Sequence, residues 1–221
     1  GFVADELIRK TCGKTIAEYL KEKIADPMGM ENFTFGVHGE KQHQVARNYV
    51  TGMKNGKLIE GVLSRAFGVS VDSAVELSNS REFMQAIVPS ANLYATAEEV
   101  SRFYQMLLAG GRYKDQQIFD PLTIQKATKE ASPMQIDKGV YLPMRFSAGF
   151  MLGANPLGMY GLHTHHAFGH LGFANIFCWA DPARDIAVSL VTTGKPILGN
   201  HILALPKLMH AITTECPRRE M

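Results

Sequence analysis

Histidine, hydroxyl and lysine side chains are the groups here whose spacing could do chemistry. His170-Leu171-Gly172 puts an imidazole two residues before a glycine. On a strand, such an imidazole can donate a hydrogen bond to a carbonyl or carboxylate, and the glycine lets another backbone come close. His163, His165, His166 and His170 could be metal ligands, since alternate strand residues share a face. No Cys, Asp or Glu nearby completes a metal set, so no metal is expected and the histidines read as a polar loop. A serine three residues before a lysine would give a nucleophile with a base in reach, yet no lysine here has one. Thr11, Thr51, Thr123 and Thr192 do precede lysines by three, but they fall at glycine turns, in a loop or in an Asp120-capped helix, and none reads as a nucleophile. Ser90-Ala91-Asn92 is a Ser-x-Asn in the loop before the Thr96 cap. Thr193-Gly194-Lys195 lacks the upstream glycine of a phosphate-binding loop and reads as a strand exit. Arg145 is either a buried cation holding loops or a carboxylate contact in the pocket, and Met144, Met151 and Met159 read as core or pocket fillers.

The elements that would position these groups follow from periodicity and caps. Phe2, Leu7 and Ile8 among charged residues predict a helix ending at Gly13, and Thr15-x-x-Glu18 opens a second that Pro27-Met28-Gly29-Met30 stops. Residues 1–30 are thus expected to be helical. Residues 31–94 are weakly periodic and rich in Gly, Asn and Ser, which predicts a loop-rich excursion with two short strands and a turn at Asn55-Gly56. Thr96-x-x-Glu99, followed by Val100, Phe103, Tyr104, Leu107 and Leu108, predicts a helix ended by Gly110-Gly111. Asp120-Pro121 caps a third, so residues 95–130 are again helical. From Arg145 the period changes to that of strands: 145–152, 175–180 and 185–192, the last two joined by Asp181-Pro182-Ala183-Arg184. Leu205, Leu208, Met209 and Ile212, with Pro206 near the first turn, predict a closing helix, so residues 145–221 form a sheet and its cover. The layout is α+β.

Composition limits the alternatives. Lys and Arg number 23 against 21 Asp and Glu, and no basic block occurs, which argues against nucleic acid and anionic membranes as partners. No apolar run approaches the ~20 residues of a membrane span. Cys12, Cys178 and Cys216 are odd in number and widely spaced, which favours reduced thiols and a cytoplasmic setting. The chain begins on a helical pattern at Gly1-Phe2-Val3-Ala4 with no initiator methionine, and reads as cut from a longer domain.

Three segments, in order, resemble the serine β-lactamase-like and penicillin-binding-protein-like family of class C β-lactamases, D-alanyl-D-alanine carboxypeptidases and related carboxylesterases. They are Ile16–Leu20 running to Pro27-Met28-Gly29-Met30, Pro89–Glu99 running to Gly110-Gly111, and Phe168–Phe173 with Trp179-Ala180-Asp181-Pro182 and Val188–Thr193. The resemblance implies an antiparallel sheet flanked by helices, of β-lactamase/transpeptidase type, with its N-terminal part missing. It also implies acyl-enzyme chemistry on an ester, β-lactam or acyl-D-amino peptide, without cofactor. In that family a Ser-x-x-Lys, a Tyr-x-Asn or Tyr-x-Ser, and a Lys/His-x-Gly strand share the work. Only the third is found, at His170 and Gly172, with Leu171, Asn92 and Arg145 as expected substrate contacts; neither of the other motifs occurs in the chain. The chain alone is therefore expected to be inactive, completed by a separate N-terminal chain or by self-association. The alternative is a non-catalytic protein that keeps the pocket for binding or regulation.

Overall fold

The computed structural model describes residues 1–138 and 142–219, with Ala66 and Phe67 described by backbone alone. Its centre is a six-stranded antiparallel sheet in the order 186–190, 177–181, 168–171, 151–152, 143–147, 130–136. Alternation decides the two faces. Phe168, Cys178 and Ala180 point to one side, where Leu152, Tyr104, Met106, Leu107, Ile24 and Met28 form the larger core. Trp179 points to the other, stacked on Tyr160 at 5.4 Å and packed with Ala167 and Met209. The Ala97–Leu108 helix covers the first face and the His201–Glu215 helix the second. Over the 168–190 strands both faces of the sheet are therefore covered from within the chain, while the 130–136 strand stays largely exposed.

The caps form as their residue types dictate. Gly13 closes the first helix in the left-handed conformation at φ 69°. Thr15 and Glu18, and again Thr96 and Glu99, exchange the reciprocal bonds of a capping box. Asp120 accepts from the Leu122 amide at 2.8 Å, with Pro121 in the first turn. Helical structure continues past Pro27 to Met28, and Gly29 ends it at φ 62°.

Three readings need correction. The 31–94 excursion holds helices at Lys57–Phe67, Val71–Ser78 and Arg81–Gln85, and Gly56, expected in a turn, is the N-cap of the first. The strand expected over 145–152 is two strands, broken where the Ser147 hydroxyl accepts from the Gly149 and Phe150 amides. Pro206 lies in the second turn of its helix, because the helix starts at His201.

The 186–190 strand forms one edge of the sheet, paired only with 177–181 among the described residues. None of the described helices is long and apolar enough to cross a membrane.

Candidate functional site

His170 lies near the end of the Phe168–Leu171 strand, opposite Cys178, with its side chain exposed. Its Nδ1 is within hydrogen-bonding distance of the Leu171 carbonyl. Leu171 is half-buried beside it and pairs with Phe177. Because alternate residues face opposite ways, Leu171 shares the Trp179 side and His170 the Cys178 side.

Gly172 opens the turn to the next strand, and its amide donates to the Ile176 carbonyl at 2.9 Å. A Cβ on Gly172 would come within 2.9 Å of Ile176 Cβ, so the tight turn itself calls for glycine. Gly169 is more constrained still, since a Cβ there would meet the Cys178 carbonyl oxygen at 2.2 Å. Ala174 and Asn175 both adopt the left-handed region, at φ 39° and 56°. For alanine that conformation costs roughly 1–2 kcal/mol, so the segment beside His170 is held against its own preference.

The hold comes from behind the turn. Thr192 Oγ1 donates to the Asn175 carbonyl at 3.0 Å, and Lys195 Nζ donates to the Thr192 carbonyl at 2.6 Å. Lys195 is 2% exposed, and burial pushes its ammonium below the usual lysine range.

Asn92 and Arg145 occupy different positions from those expected of substrate contacts. Asn92 is 3% exposed. Its amide nitrogen donates to the Phe83 and Ala86 carbonyls at 2.9 and 2.7 Å, and its oxygen accepts from the Val88 amide at 2.9 Å. It fastens the 83–92 loop and has no N–H left for a ligand. Arg145 is buried against Glu130, with Nη2 to Oε2 at 2.6 Å, and Nη1 donates to the carbonyls of Gly153 and His165. Its guanidinium ties loops together, the first of its two readings. The hydrogen bond from Arg145 holds the Glu130 carboxyl below its usual range, while burial, helped by Arg145, pushes His165 down. These groups line a hollow of about 370 Å³ that reaches Leu152, Phe168 and His166. Phe168 lines it and His170 does not.

Among the described residues no three His, Cys, Asp or Glu side chains come together to hold a metal. His165 and His166 are edge-to-face at 5.2 Å. The three cysteines are free thiols. Ser70 caps the 71–78 helix, with its hydroxyl on Ser73, and Thr192 spends its hydroxyl on backbone carbonyls.

Sequence reasoning passed over two groups that the structure brings forward. Lys195 reads as a strand exit yet is buried behind the His170 turn. Arg184 and Asp181 form a buried pair at 2.7 Å that locks the hairpin turn to the 162–163 carbonyls. The Asp181-Pro182-Ala183-Arg184 spacing held the signal for the second, whereas nothing near Lys195 marks it as buried.

Comparison with known proteins bears on the family and the fold. The family model described as Beta-lactamase matches residues 1–207. The esterase/beta-lactamase LipL of Mycobacterium tuberculosis is 22% identical over 205 residues, covering 86% of this chain and 46% of the relative. An N-acetylmuramyl-L-alanine amidase of Bacillus subtilis is 22% identical over 194 residues, covering 86% and 42%. The chain thus spans about half the length of these curated relatives. A penicillin-binding protein homologue from Caulobacter crescentus superposes with a TM-score of 0.74 at 24% identity, over 97% of this chain and 56% of that one. A family VIII carboxylesterase does so with 0.76 at 22% identity, over 97% and 56%.

Proposed function

Because this chain belongs to the Beta-lactamase family, we propose that it supplies the His-x-Gly wall of a serine hydrolase whose nucleophile lies outside these 221 residues. The observation that carries the reading is His170 standing exposed on a sheet strand, next to a turn held in the left-handed region. An imidazole in that position donates to the carbonyl or carboxylate of an acyl substrate, and the gain is greatest as negative charge builds on the oxygen. Gly172 supports the reading by letting the chain turn tightly beside His170, with its amide on the Ile176 carbonyl. No Ser-x-x-Lys and no Tyr-x-Asn or Tyr-x-Ser occurs in the sequence, so the acyl-enzyme forms on a serine that this chain does not carry. Substrates are small esters, β-lactams or acyl-D-amino peptides, and the reaction needs no cofactor.

The test is the acylation rate in the gene product that includes whatever is encoded in frame before Gly1. His170→Ala should slow acylation by a fluorophosphonate or a penicillin about 10²-fold, the scale of one lost transition-state donor, with the thermal midpoint unchanged. An unchanged rate, or a loss of rate that only tracks a loss of folded protein, would contradict the assignment.

A further inference from the structure

We propose that Lys195 is a positioning residue for this wall, holding the 172–176 turn in place from behind through the Thr192 carbonyl and the Phe173 ring. The inference rests on the assignment of His170 and Gly172 above.

The links can be followed atom by atom. Lys195 Nζ donates to the Thr192 carbonyl at 2.6 Å and lies 5.8 Å from the centroid of the Phe173 ring. Thr192 Oγ1 in turn donates to the carbonyl of Asn175, one of the two turn residues at positive φ. Lys195 is itself anchored, because its amide donates to the Tyr49 carbonyl at 2.9 Å while the Tyr49 amide donates to Thr193 at the same distance. The Lys195 backbone thus ties the strand exit to Tyr49, while its buried ammonium reaches the Thr192 carbonyl and the Phe173 ring of the His170 turn.

Lysine is an expensive way to fill this space. The residue is 2% exposed, and none of the ion pairs formed among the described residues includes it. Methionine has nearly the same length and flexibility and would fill the site without desolvating a charge. The ammonium offers what methionine cannot, a strong hydrogen bond to a carbonyl and a cation over an aromatic face. Both contacts lead to the turn.

Amide hydrogen exchange on this chain tests the proposal without any need for turnover, so it stands or falls separately from the acylation experiment. In Lys195→Met, exchange at Gly172, whose amide donates to the Ile176 carbonyl across the turn, should speed up about tenfold, as expected for the loss of one charged hydrogen bond. The 130–147 strands should keep their protection, and the melting temperature should not fall. Thr192→Val, which removes the hydroxyl on Asn175, should reproduce the local loosening. Lys195→Arg should restore slow exchange. An unchanged turn in both the Met and Val variants, or loosening spread evenly over the sheet, would overturn the proposal. In the gene product with hydrolase activity, Lys195→Met should lower kcat about tenfold with KM held within about twofold. Equal changes in both, or an unchanged kcat, would count against it.

Discussion

At the scale of single residues, polar groups here divide by whether their hydrogen bonds are already taken. Asn92 and Arg145 have theirs satisfied inside the protein, whereas the exposed His170 ring has one nitrogen, Nδ1, at the Leu171 carbonyl. Asn92→Ala should therefore act on stability rather than on substrate. It leaves the Phe83 and Ala86 carbonyls and the Val88 amide without partners, which costs about 1–3 kcal/mol, read as a lower denaturation midpoint with an unchanged m-value. Lys195 has the opposite sign. Its folded pKa is lowered by burial below the usual lysine value of 10.5, so between the two values the unfolded chain holds a proton that the native chain lacks. Stability from this group rises with pH across that window. Lys195→Met should accordingly be at least as stable as the parent at pH 7, with its advantage shrinking as pH approaches 10.5. An advantage that grows with pH would contradict the burial cost. None of this was legible in the sequence, where Asn92 resembles a motif and Lys195 a loop residue, because burial is decided by segments distant in the chain.

At the scale of elements, the Thr96–Glu99 box does more than start a helix. Glu99 is 4% exposed; its carboxylate accepts from Thr96 N–H at 2.9 Å and, 67 residues away in sequence, from Asn32 N–H at 2.8 Å. Burial alone would raise its pKa, but the bonds from the Thr96 and Asn32 amides and the Thr96 hydroxyl outweigh burial and hold it below 4.5. A depressed carboxyl contributes stability that is present above its unfolded value and lost as pH falls through the folded one. Glu99→Gln should thus lower stability at pH 7 and flatten its decline below pH 4.5, as seen by urea denaturation across pH; an unchanged acid limb would refute the account. This cap was legible because Thr-x-x-Glu is local chemistry. The helices at Lys57–Phe67, Val71–Ser78 and Arg81–Gln85 were not. The first carries Gly61 in its interior, and the other two are capped by Ser70 and Ser80 with no Glu three residues later and run for 8 and 5 residues, too short for a 3.6-residue period to emerge. Strands 177–181 and 186–190 were legible from their alternation and from the Asp-Pro turn between them.

At the scale of the whole molecule, a sheet covered on both faces over its 168–190 strands ends on the apolar Ile186–Leu190 strand, which has one neighbour among the described residues. An uncharged edge strand without proline is a template for pairing. Light scattering after size exclusion should give a mass above that of one 24.4 kDa chain unless a second polypeptide covers the edge. A well-folded monomer with a cooperative melt would show that the edge needs no partner. The family was legible from three short segments in order, and both the match over residues 1–207 and the shared fold support it. The central claim is that the wall is here and the nucleophile is not. Peptide mapping of the active gene product after fluorophosphonate labelling tests it most directly: the adduct should fall on a serine preceding Gly1 and none on these residues, whereas a stoichiometric adduct on Ser64, Ser70, Ser90 or any other serine of this chain would contradict it.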